Sequence, residues 1–285
     1  MMFKSTVLEL LRKSTTNNVS KRFLPTFINP DYSANTAGNG ASEDGGKSNK
    51  RWYERGSDYD LLYEGHIPTT LFQKGLLAVG SACMSLYNPA RDDMICSLGE
   101  SSGYFALKRM RSKMLADPTG RLILREKPRI NSTTVDLDYL ASLPEDTFGK
   151  TYSNWLKKNK VTPDARREVN FIDDVELAYV MQRYRECHDL YHTILGMPTN
   201  MIGEVAVKWV EALQTGLPLC VLGGMFGSLR LGPKHRARYL EKYLPWALRV
   251  GMDGRFLMNV YFEKHWQDNL DDLRAELNIL KPPDP

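Results

Sequence analysis

His188 and His192 stand four residues apart in this 285-residue chain. On a helix that spacing puts both imidazoles on one face, one turn apart. Asp189 precedes His192 by three residues and flanks the same face. Gly196 then offers a C-cap, Pro198 forbids continuation, and Thr199 or Asn200 can cap a second helix. A helical hairpin is therefore expected. His192 lies four residues before Gly196, and Glu204 four residues after Asn200. At about 1.5 Å per residue each sits roughly 6 Å from the turn, so the two are level if the helices run antiparallel. Glu204 is not in the capping-box position, so it has no local duty. Two imidazoles and two carboxylates would suit Zn²⁺, or a first-row metal such as Fe or Mn. The expected metal ligands are His188, Asp189, His192 and Glu204. The bland alternative makes the histidines and Asp189 surface residues and pairs Glu204 with Lys208 at i+4. Arg185, one turn back, is a candidate to bind a substrate carboxylate, with pairing to an acid as its ordinary alternative. His66, His235 and His265 have no such company and read as structural or surface residues.

The elements that position these residues read as mostly helical. Apolar periodicity and turn signals mark helices over about 69–88, 101–116, 145–159, 172–195, 200–214, 219–230, 234–250 and 256–277. Asp117-Pro118-Thr119-Gly120 reads as a turn, and 121–130 as the one extended stretch. The expected fold is all-α: a single helical domain over 59–280, with the metal motif on an αα-hairpin. Residues 34–58 are Gly/Ser/Asn-rich and read as a disordered linker. Ala41–Ser48 is a loose phosphate-loop match without the flanking strand and helix that the mechanism needs. Gly223, Gly224 and Gly227 lack that context too.

Residues 1–33 carry five basic residues against two acidic ones, with Phe3, Val7, Leu10 and Leu11 at helical spacing. That is the composition of a mitochondrial transit peptide. The net charge is +4, so the rest of the chain is nearly neutral, which argues against nucleic acid as the main partner. The four cysteines form no CxxC pair and read as free thiols in a reducing compartment. Ala212–Leu229 is the longest uncharged stretch, but its polar residues, proline and glycines argue against a membrane span. With the basic and aromatic residues that follow, Ala212–Leu231 suits either a core helix or contact with an anionic membrane surface.

The His188–Glu204 segment resembles the Coq4 family of ubiquinone (coenzyme Q) biosynthesis proteins. The family motif, His-Asp-x-x-His followed by eleven residues and Glu, stands here without departure. The resemblance extends over about residues 60–280. It includes 66–79 (HIPTTLFQKGLLAV), Leu98–Gly103, Pro128-Arg129-Ile130, Thr147-Phe148-Gly149, Gly196-Met197-Pro198-Thr199, Lys208-Trp209, Gly216-Leu217-Pro218 and Tyr261-Phe262-Glu263. It implies a peripheral protein on the matrix face of the mitochondrial inner membrane, within the complex that builds the quinone head group and as one of its organisers. It also implies a part in removing the C1 carboxyl of a polyprenylated hydroxybenzoate, coupled to hydroxylation at that carbon, with zinc as the metal. Other enzymes of the pathway, polyprenylated precursors, the membrane surface and a second copy of the chain are the expected partners. Two competing functions stand beside this one. A scaffold would use the metal only to pin the hairpin. A zinc hydrolase would share the His-x-x-x-His spacing, but Asp189 replaces the glutamate that serves as general base in such proteases.

Overall fold

The computed structural model describes residues 61–88 and 91–283, all within one compact unit. The leader, the linker and the phosphate-loop match lie outside the described residues. In chain order the helices are α1 (Leu71–Tyr87), α2 (Asp92–Ser102), α3 (Tyr104–Ala116), α4 (Pro118–Glu126), α5 (Leu137–Ser142) and α6 (Phe148–Asn159). Then come α7 (Val175–Leu195), α8 (Met201–Thr215), α9 (Pro218–Gly227), α10 (Pro233–Arg238), α11 (Leu244–Asp253) and α12 (Leu270–Glu276). Short 3-10 turns and a π-helical turn at Tyr239–Tyr243 join some of them. The only β feature among the described residues is an isolated bridge between Thr147 and Asn269, so the expected all-α class holds.

Helix α7 is the axis of the domain. Residues 177–195 are all buried, and α3, α6 and α8 pack around them. Helix α8 is covered in turn by α9 and α11, α2 packs against α9, and α1 lies on α2. A helix buried all round normally reads as apolar. This one carries many charged groups, and other elements answer them. Arg183 pairs with Glu263, Arg185 with Glu100, and Glu186 with Arg129 and the Ile130 amide.

Three sequence expectations are corrected. Residues 121–126 belong to α4, because the residues read as a turn start a helix. The Asp117 side chain accepts the Thr119 and Gly120 amides, and Pro118 occupies the first helical position, where its missing N–H costs nothing. The helix expected over 256–277 is two 3-10 turns followed by α12. Its backbone bonds outward instead: the carbonyls of Asp268 and Trp266 accept from Phe148 and Gly149, and Leu270 donates to Asp146. The helix expected over 101–116 is split at Gly103, with α2 before it.

Candidate metal centre

Asp174 caps α7 by accepting the amides of Glu176 and Leu177, and Asn200 caps α8 by accepting the Gly203 amide. Gly196 closes α7 at φ 64°, a left-handed conformation that glycine adopts without strain. The Pro198 carbonyl then lies where a side chain on Gly203 would be, so the turn seats tightly on the first turn of α8. Gly196, Asn200 and the tight turn between them are written into this short segment, and they bring the ligand atoms of His188, His192 and Glu204 within 4.8 Å of one another.

Glu204 Oε1 is 3.4 Å from His192 Nε2, and Glu204 Oε2 is 3.7 Å from His188 Nε2. Metal–donor bonds of about 2.0–2.2 Å put neighbouring donors of a tetrahedral shell about 3.4 Å apart. The imidazole planes stand at 88° with centroids 4.8 Å apart, so the two nitrogens approach one point from different directions. The other ring nitrogens are tied down. His188 Nδ1 meets Glu211 Oε1 at 2.7 Å, and His192 Nδ1 meets the Met197 carbonyl at 3.2 Å. Outer hydrogen bonds of this kind fix the tautomer and leave Nε2 with its lone pair inward. His192 Nε2 is buried without a hydrogen-bond partner. An orphaned imidazole nitrogen aimed at a carboxylate fits a metal ion, so these residues suit the group that the motif implies.

The charged groups of the cluster also shift one another. Burial and Lys208 push the His188 imidazole towards its neutral form, but Glu211 and Glu204 outweigh them and hold its pKa above the ordinary value. Burial pushes Glu204 up, yet His188 and His192 hold it well below the usual carboxylate range. Glu211 is likewise held well below that range against its burial, by Lys208 and His188.

Asp189 is not in this cluster. It is buried and pairs with Arg166, which follows the Pro163–Ala165 turn. Arg185 is committed to Glu100 and to the Cys96 carbonyl, the acid pairing that was its ordinary alternative. Glu211 was missed. It stands seven residues after Glu204, two turns on along α8, and that spacing was its only signal. His66 is buried against Asp173, while His265 pairs with Asp268 and His235 is exposed.

A cavity of about 280 Å³ reaches the cluster at Glu204. Its walls are mostly apolar: Leu86 of α1, Ile95 and Leu98 of α2, Val205 of α8, and Leu219, Leu222 and Phe226 of α9. Outside it, α1 turns its apolar side chains outward. Leu71 is 89% exposed, Phe72 75%, Val79 67% and Leu76 59%, and Ser81 is its one buried residue. Met225, Phe226 and Leu229 are also exposed, whereas Leu219, Cys220 and Gly224 are buried. No helix among the described residues is long and apolar enough to cross a membrane.

Comparisons with known proteins agree on one family. The family described as coenzyme Q (ubiquinone) biosynthesis protein Coq4 matches residues 63–283. The mitochondrial ubiquinone biosynthesis protein COQ4 homolog of Xenopus tropicalis is 53% identical over 230 residues, covering 81% of this chain and 82% of that protein. The human homolog is 51% identical over 222 residues, covering 78% and 84%. That of Aedes aegypti is 54% identical over 216 residues, covering 76% and 79%. Among solved structures, a Nostoc punctiforme protein provisionally assigned to ubiquinone biosynthesis superposes with a TM-score of 0.58 at 20% identity, covering 72% of this chain and 98% of that one. That likeness shows the fold alone. The extent and identity of the sequence matches establish that the chain belongs to the Coq4 family of coenzyme Q (ubiquinone) biosynthesis proteins.

Proposed function

We propose that this ubiquinone biosynthesis protein removes the C1 carboxyl of a polyprenylated 4-hydroxybenzoate, of the 4-hydroxy-3-methoxy-5-polyprenyl type, with a metal held by His188, His192 and Glu204. The single observation that carries the reading is the meeting of a His₂Glu cluster with the end of an apolar cavity. A bound Zn²⁺, Fe or Mn would supply Lewis acidity towards the carboxylate or phenolate oxygen. Three protein donors, rather than four, leave room for a substrate oxygen. The chain's own residues do the rest. Glu211 and the Met197 carbonyl hold the imidazoles in one tautomer, and Trp155 packs on the His192 ring at 5.7 Å. The aliphatic walls admit the first isoprene units of the tail and keep water from the head group. Loss of CO₂ needs a proton delivered to C1, which the hydroxyl para to it favours. Where the same carbon is hydroxylated instead, an outside oxidant such as O₂ takes the electrons. The protein acts as a peripheral member of the biosynthetic complex on the matrix side of the mitochondrial inner membrane. The names of its relatives support the mitochondrion, and the outward apolar face of α1 supports contact with a membrane surface. The same face favours a second role, recruiting partner enzymes or a second copy of the chain.

The test is metal content and CO₂ release from carboxyl-labelled 4-hydroxy-3-methoxy-5-farnesylbenzoate, with the full chain and with Glu204→Gln. About one equivalent of metal in the wild type, lost together with CO₂ release in the variant, supports the reading. Zinc would favour Lewis-acid chemistry, and iron or manganese the oxidative course. In cells, carboxylated precursor should accumulate in the variant while the complex stays assembled. Metal-free wild type, or CO₂ release that survives the substitution, would overturn it.

A further inference from the structure

We infer that Lys208 is the cation that reads the substrate's carboxylate, so that it sets the cavity's preference for the acid over the decarboxylated phenol. This rests on the proposed function and names how its head group is recognised. Among the described residues, three charged side chains line the cavity: Glu204, Lys208 and Arg230. Arg230 is exposed and donates to the Leu86 carbonyl. The arginines of the surrounding core are committed to acids: Arg183 to Glu263, Arg185 to Glu100 and Arg166 to Asp189. Among the described residues, Lys208 is the cation that both lines the cavity and stands beside the cluster, and its acid partner, Glu211, is shared with His188. It follows Glu204 by one turn on the same face of α8.

The lysine is held in place and incompletely satisfied. Its ammonium donates to Glu211 at 2.7 Å and to the Tyr184 hydroxyl at 3.4 Å. Glu211 is itself shared, since it also takes His188 Nδ1 and the Tyr184 hydroxyl at 2.9 Å. An ammonium carries three N–H donors, and a hydroxyl together with a carboxylate that also takes His188, Tyr184 and the Cys220 thiol leaves one of them to spare. The stem of Lys208 runs along Gly223 of α9: a side chain there would begin 3.3 Å from Cγ and 3.4 Å from Cδ. That contact fixes the stem, and Lys208 is one of the side chains that line the cavity. A substrate carboxylate would gain a charge-assisted hydrogen bond in a site with little water, where such bonds are strongest. The neutral phenol has no charge to offer, so product is held less tightly than substrate and leaves.

Calorimetric titration of the full, metal-loaded chain in detergent tests this. The probes are 4-hydroxy-3-methoxy-5-farnesylbenzoate and 2-farnesyl-6-methoxyphenol. Lys208→Met should weaken the acid by about tenfold or more and the phenol by less than about twofold, with the wild-type metal content retained. Lys208→Arg, which keeps the charge, should restore most of the acid's affinity. If Lys208→Met loses metal or melts early, Lys208→Gln, which keeps a donor for Glu211 without the charge, is read in the same way. An unchanged preference for the acid in these variants overturns the inference alone. Equal losses for both probes would show that Lys208 acts through packing, and that also overturns it. Wild type that binds the two probes alike, or binds neither, overturns the inference and the carboxylic-acid substrate of the proposed function together.

Discussion

Helices α7 and α1 break the same rule in opposite directions. Helix α7 is buried all round and carries charged groups; α1 is rich in apolar residues and turns them outward. Charge in a core is costly unless each group is paired, and every charged group on the buried part of α7 has an opposite partner. Exposed apolar side chains gathered on one helix mark a surface made to meet something else. The centre of the domain is therefore built to hold a polar constellation still, and its edge is built to be covered.

The contrast can be broken most severely at Glu263. Its replacement by alanine strands Arg183, whose side chain is fully buried, and should cost about 3–5 kcal/mol in urea unfolding. A loss below about 1 kcal/mol would mean that the buried charges of α7 are not held by their partners. Next in size is Glu211→Gln. Loosening the His188 ring should weaken metal affinity about 10–100-fold in competition with a chelating dye, whereas affinity unchanged within error would show that Glu211 does not orient the ligand.

Helix α1 should behave the other way. Phe72→Ser/Leu76→Ser removes side chains that are already 75% and 59% exposed, so unfolding stability should move by no more than about 0.5 kcal/mol. Co-sedimentation with anionic lipid vesicles should fall several-fold, and retained binding would assign the face to a protein partner. The smallest effect concerns the tie between α1 and the body, where Asp173 meets Lys74 and His66. Burial pushes the Asp173 carboxyl up, but Lys74 and His66 outweigh it and hold it below its ordinary value. The tie therefore stabilises above the ordinary carboxylate pKa of about 4 and is lost as pH falls through the lower folded value. Asp173→Asn should flatten the fall of Tm between about pH 5 and pH 3; parallel curves for the two proteins would show that the pair contributes nothing.

The hairpin and the meeting of His188, His192 and Glu204 could be read from sequence because their determinants are local. Helical spacing, Gly196, Pro198 and Asn200 all act within a few residues of the groups they place. Asp189 and Arg185 could not be placed that way. Their partners, Arg166 and Glu100, come from other segments, and helical spacing alone does not say where a carboxylate on the flank of a face will turn. The same limit applied to α1. The alternation of its residues announces an apolar face, but whether that face meets the core or the outside depends on where α2 lies. The turn at Asp117–Gly120 misled for a different reason: Asp-Pro ends one element and begins the next with the same atoms.

The candidate ligands His188, His192 and Glu204 fall within one hairpin, from the last two turns of α7 to the first turn of α8. Bringing them together closes only a short loop, which costs little entropy and needs no distant part of the chain. On the proposed function, a metal would be captured by two adjoining helices before α1, α9 and α11 have found their places, and its binding energy would become folding energy for the segment that forms the domain's axis. Depletion of the metal would be felt first as slower or less complete maturation of new chains, before any loss from those already folded.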